Sequence, residues 1–213
     1  MRTNRAVTAL SLSALLLAGC GGAPTPMEEE QEESPEMQED PFQQGDEPAT
    51  ADSPTASPEV SATFQPYEEG VTAVTYDEAV PEGAQVDVSV SNEGDDSTTF
   101  RLQVSGLEPD REYGAHVHTE PCGEQPDDSG PHYQDEVDPE QPSTNPEYAN
   151  PDNEVWLDFT TDAEGNATSD ATVNWEPRSD EANSVVIHTE HTMTEPGMAG
   201  QAGDRLACVN LPM

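Results

Sequence analysis

Gly114-Ala-His-Val-His-Thr-Glu-Pro-Cys122, followed after a polar run by Ser129-Gly-Pro-His-Tyr133, is the stretch on which the reading of this chain turns. His116 and His118 alternate with small or branched apolar residues, so on a β-strand both imidazoles project from one face. Cys122 follows at once, and His132 returns after a loop of Gly, Pro, Asp and Ser. The chain has 5 histidines, and three of them are here. Two imidazoles on one strand face, joined by a third from a nearby loop, make a metal-site arrangement.

The sequence on either side extends the strand reading. Val71–Tyr76, Ala84–Val90, Thr98–Val104 and Arg111–His118 alternate apolar and polar residues between Gly, Asn, Asp or Pro turns, the pattern of half-buried antiparallel strands. Residues 119–153 are rich in Pro, Gly and acids and predict a long loop, functional or partly disordered. Strands resume at Glu154–Thr161, Ala167–Trp175, Ser184–His188 and Arg205–Val209, with a second Gly-rich loop before the last. No stretch has helical periodicity. Seven or eight short strands imply one all-β sandwich or barrel over residues 67–213.

The N-terminal third reads differently. Arg2 and Arg5, an apolar run from Ala6 to Leu17 and the closing Leu17-Ala18-Gly19-Cys20 form a bacterial lipoprotein signal over residues 1–19, with Cys20 as the lipidated residue. The apolar run is too short to span a bilayer comfortably. Residues 20–66 are Glu, Pro, Ser, Thr and Gln with few branched apolar side chains. They predict a disordered acidic tether, because so little apolar area cannot offset the entropy of ordering. The expected location is extracytoplasmic, with the membrane reached through the lipid anchor alone.

Charge excludes some partners. The chain carries 6 Lys+Arg, all arginine, against 45 Asp+Glu, a formal net charge of −39. Removing the signal takes away two arginines and no acids. Such a surface repels nucleic acid and anionic headgroups. It also repels itself unless salt screens it, over about 3 Å at 1 M ionic strength, so a salty milieu is expected. Composition leaves the oligomeric state open.

Gly114-Ala-His-Val-His118, Gly130-Pro-His132, Val185-Val-Ile-His188 and Gly203-Asp-Arg-Leu-Ala-Cys208 resemble, in order and spacing, the copper-zinc superoxide dismutase family. The resemblance covers about residues 71–210 and implies an all-β Greek-key β-barrel of about eight antiparallel strands. Residue by residue it implies His116, His118, His132 and His188 as copper ligands, Cys122 and Cys208 as a disulfide, and Arg205 as the arginine that guides superoxide to the metal. His132 also takes the place of a catalytic proton carrier. The cysteine count agrees with the pairing, since with Cys20 lipidated two cysteines remain in an exported chain. Such a bridge would be worth about 4 kcal/mol in chain-entropy terms. For Arg205 the alternative is a strand-edge arginine paired with Asp204 or Glu195.

The chain departs from the family at zinc. No histidine lies between His132 and His188, and the loop offers only Asp135, Glu136, Asp138, Glu140, Asp152 and Glu154. Carboxylates alone are a poor basis for a tetrahedral zinc site. A copper-only variant is therefore expected, with Glu190 or Glu195 holding the far nitrogen of His132 in place of zinc. His191 is read as an exposed residue or one behind the metal ligands. The function implied is conversion of superoxide to oxygen and hydrogen peroxide. The alternative is a copper-binding lipoprotein that handles copper with little or no such activity.

Overall fold

A computed structural model describes residues 59–94 and 96–211. The signal and most of the tether expected from the sequence, Cys20 included, lie outside the described residues. Among the described residues nine strands are formed: β1 Glu59–Thr63, β2 Ala73–Thr75, β3 Gln85–Gly94, β4 Ser97–Ser105, β5 Glu112–His118, β6 Phe159–Thr160, β7 Ala167–Val173, β8 Ser184–His188 and β9 Arg205–Asn210. They make two antiparallel sheets, one of four strands ordered β1-β3-β4-β7 and one of five ordered β2-β9-β8-β5-β6. The chain passes between the sheets after β1, β2, β4, β6 and β7, which gives the Greek-key sandwich the sequence implies. Among the described residues the one helical turn is a 3-10 turn at Pro126–Ser129.

Alternation decides what each strand does. In the four-stranded sheet, Val86, Val88, Phe100 and Leu102 point into the core, while Asp87, Ser89, Arg101 and Gln103 face outward. The five-stranded sheet is different, because β5 and β8 are buried along almost their whole length. Tyr113, Ala115, Val117, Val185 and Ile187 enter the core. The residues between them, His116, His118 and His188, project from the other face and are still buried. That second face is covered by the two long loops, 119–158 and 189–204. A disulfide between Cys122 and Cys208 pins the first loop to β9, closing a separation of 86 residues.

Two boundaries differ from the sequence reading. Among the described residues the first strand begins at Glu59, within the stretch assigned to the tether. Val60, Ala62 and Phe64 alternate with polar residues there; β1 pairs with β3 from Glu59↔Ser89 to Thr63↔Gln85, and Phe64 is fully buried. The expected strand at Glu154–Thr161 shrinks to β6. Residues 155–157 still run beside β5 in the register of β6, with the Leu157 N–H on the Ala115 carbonyl and the Val117 N–H on the Val155 carbonyl, but the ladder is interrupted at Asp158, whose side chain takes the Ala115 N–H.

Candidate metal centre

The register brings the histidines together. β5 and β8 pair with Gly114 opposite His188 and His118 opposite Ser184, so the three strand histidines share one patch of the covered face. The loop after Cys122 returns alongside β5, and an isolated bridge sets His132 beside His118. One ring nitrogen from each of His116, His118, His132 and His188 lies within 4.8 Å of the other three. His116 and His118 are fully buried and His188 nearly so, whereas the His132 side chain retains 18% of its exposure.

Each ring commits one nitrogen to the protein. His118 Nδ1–H donates to the Gly130 carbonyl at 2.9 Å, and His188 Nδ1–H to the Gly203 carbonyl at 3.4 Å. His132 Nδ1 pairs with Glu154 Oε2 at 2.9 Å. His116 uses Nε2, which lies 2.6 Å from Thr192 Oγ1. For His118, His188 and His132 the partner is a carbonyl or a carboxylate, which only accepts, so the other nitrogen of each ring carries the lone pair that faces the cluster.

The donor set fits a metal ion. His116 Nδ1 is buried without a hydrogen-bond partner, a costly state for a polar atom unless a ligand completes it. His118 Nε2 and His188 Nε2 stand 3.4 Å apart, two acceptors that need a cation or proton between them. Burial, reinforced by the neighbouring rings, pushes His116 and His118 well below the usual imidazole pKa. Burial likewise lowers His188 to about 3. All three rings are neutral at neutral pH, the form that ligates a metal. A set of four imidazole nitrogens suits Cu(II), among first-row metals that accept imidazole.

The partner of His132 is not the one expected. Glu190 and Glu195 are exposed on the second loop, and neither hydrogen-bonds His132. Glu154 takes the position instead, with its side chain buried to 2%. Gln134 Nε2 donates to its Oε1 and Trp156 Nε1 to its Oε2, both at 2.7 Å. Gly200, at φ +78°, lies directly over this pair; a Cβ there would stand 3.1 Å from Ala149 Cβ and 3.8 Å from His132 Nδ1. The signal for Glu154 was present in the sequence. Val155, Leu157 and Phe159 are core residues, so the intervening Glu154, Trp156 and Asp158 must face the histidine side.

Arg205 stands at the mouth of the site, lining with His132, His188, Gln141, Thr144 and Gln201 a cavity of about 270 Å3. Neither Asp204 nor Glu195 holds it. Its Nη1 donates to the Pro126 carbonyl at 3.1 Å and to Ser129 Oγ at 2.8 Å, within the turn that the disulfide secures. Asp127 is 3.9 Å away and almost fully exposed. Burial lowers the Arg205 pKa, and Asp127 opposes that shift. His191 is exposed and turns Nε2 to the Phe159 carbonyl at 3.0 Å, away from the cluster.

A Greek-key sandwich with four imidazoles converging under its loops is an all-β protein with a histidine cluster that could hold a metal ion. The family follows from the chain itself: residues 84–211 match the copper/zinc superoxide dismutase (SODC) family, and the chain belongs to it. No curated protein matches the chain. Among solved structures, the clock protein EA4 has 20% identity and a TM-score of 0.47, covering 66% of this chain and 91% of that one. A double mutant of a SOD-like protein from Bacillus subtilis has 16% identity and a TM-score of 0.49, covering 66% and 94%. A single mutant of the same Bacillus subtilis protein has 14% identity and a TM-score of 0.49, covering 66% and 95%.

Proposed function

We propose that this protein is a superoxide dismutase of the copper-only kind, held outside the cytoplasm by lipid on Cys20. The observation that carries the reading is the division of labour in the four rings: one nitrogen of each is fixed by the protein, and the other faces a common centre. His116, His118, His132 and His188 would hold copper, which when bound supplies one-electron chemistry between Cu(II) and Cu(I). The overall reaction takes two superoxide ions and two protons to one oxygen and one hydrogen peroxide.

The chain's own groups have distinct tasks. Arg205 places the positive charge at the cavity mouth where an anion arrives, and the Pro126 carbonyl and Ser129 hold it there. His132 borders the cavity with His188 and is the more exposed of the two rings. With Nδ1–H kept on Glu154, it can take and release a proton only at Nε2, so the proton is delivered where substrate enters. Glu154, fixed by Gln134 and Trp156, stands where a second metal would otherwise anchor this ring, which is why we read the site as copper-only. Covering loops exclude bulk water from the other three rings.

A second reading, a copper-handling lipoprotein, is favoured by the net charge of −39, which repels an anionic substrate. Turnover separates the two. The full chain loaded with Cu(II) should consume superoxide, faster in 0.15 M salt than in dilute buffer, and His188→Ala should abolish it. Stoichiometric copper without superoxide consumption at any salt concentration would leave the handling role.

A further inference from the structure

His116 is the odd ring of the four, because it turns Nδ1 rather than Nε2 toward the common centre. The cause lies in the loop above it. Asp158 Oδ2 accepts the backbone N–H of Thr192 at 2.7 Å, and Asp158 Oδ1 accepts the Thr192 hydroxyl at 2.7 Å. The same Oδ1 accepts the Ala115 N–H at 3.2 Å, which ties the carboxylate to β5. A carboxylate only accepts, so the Thr192 hydroxyl proton is spent on Asp158. Thr192 Oγ1 can then only accept from His116 Nε2, 2.6 Å away. Nε2 must carry the hydrogen, and Nδ1 is left as the buried lone pair without a partner.

A second feature lets the loop come this close. Gly114 in β5 lies under the second loop; a Cβ there would stand 2.5 Å from the Glu190 carbonyl oxygen and 2.6 Å from Ala202 Cβ. Only glycine allows residues 190–202 to settle on the strand and lower Thr192 onto His116. Asp158 itself is 4.0 Å from His116 Nε2 and does not reach it directly.

We propose that Asp158, acting through the Thr192 hydroxyl, is a positioning pair that sets the tautomer of His116. It thereby makes metal retention depend on the seating of the second loop. The inference rests on the metal site proposed above, but its first readout needs no metal. Nitrogen-15 NMR of the metal-free full chain should find His116 as the Nε2–H tautomer and His118 as Nδ1–H. In Thr192→Val, His116 should lose that preference, while Thr192→Ser should keep it. Loading with Cu(II) alone is the second readout. Thr192→Val should weaken copper binding 10–100-fold, the usual loss for a group behind a metal ligand, with Thr192→Ser within threefold of the parent. A metal-free His116 protonated at Nδ1, or a folded Thr192→Val that holds Cu(II) as tightly as the parent, would overturn the proposal. A parent chain with the Nε2–H tautomer that binds no Cu(II) would support the positioning pair and sink the copper site.

Discussion

The two sheets carry the same alternating pattern and put it to opposite uses. On the four-stranded sheet, the non-core residues face solvent as Asp87, Ser89, Gln103 and the exposed Arg101–Asp170 pair. On the five-stranded sheet the non-core residues include His116, His118 and His188, sealed beneath two loops. An outward polar face becomes a site only when something covers it. Here the cover is fixed by the Cys122–Cys208 bridge, the Glu154 network and the Asp158–Thr192 contact. Desolvation then makes neutral imidazoles of the histidines, and neutral imidazoles are ligands.

Substitutions on the two faces should differ accordingly. The largest effect is expected for His116→Ala or His188→Ala, which remove a ligand from the covered face. Either variant should lose stoichiometric Cu(II) on dialysis and all superoxide turnover, with the barrel still folded by circular dichroism. Loss of the bridge in Cys122→Ser with Cys208→Ser comes next. It should cost about 4 kcal/mol by denaturant unfolding and reduce turnover further, since Arg205 is held by the turn that the bridge secures.

Glu154→Gln should weaken copper binding about 10–100-fold while leaving the four ligands in place, as read by competition titration. The mildest outcome belongs to the open sheet. Arg101→Ala removes a solvent-exposed pair and should change stability by about 0–1 kcal/mol, with no effect on copper. A large loss there would erase the contrast between the faces.

Acid probes the same contrast without mutation. His116, His118 and His188 have folded pKa values depressed below 6.5, to about 3 for His188. The unfolded chain therefore binds protons in a range where the folded chain does not. Stability of the metal-free protein is full above about pH 6.5 and is lost as pH falls toward about 3. The thermal midpoint of the metal-free chain should fall between about pH 6.5 and pH 5, above the ordinary carboxylate range, and His188→Gln should flatten that slope. Molar salt should raise the midpoint at every pH by screening the excess of acids.

Most of this was legible in the sequence, and what was not has identifiable causes. Strand alternation gave the core, and the His-x-His spacing gave one face of the site. β1 escaped notice because Val60 and Ala62 are few and small among acids and prolines, although Phe64 marked the buried end. The partner of His132 was sought near His188 in sequence, whereas it comes from the segment 154–158, whose alternation puts two acids on the histidine face. Alternation shows which residues face the histidines but not which of the acids meets His132; that depends on where residues 154–157 lie along β5. Thr192 carried no sequence signal, because a threonine in a loop acquires meaning only from what lies beneath it.

The central claim is that the covered face holds a single copper ion on four imidazoles. Electron paramagnetic resonance of the full chain titrated with Cu(II) tests it most directly. The account predicts saturation at one copper per chain, with a tetragonal spectrum showing nitrogen hyperfine structure that is lost in His116→Ala. A copper signal without imidazole nitrogen coupling, or one unchanged by His116→Ala, would contradict it.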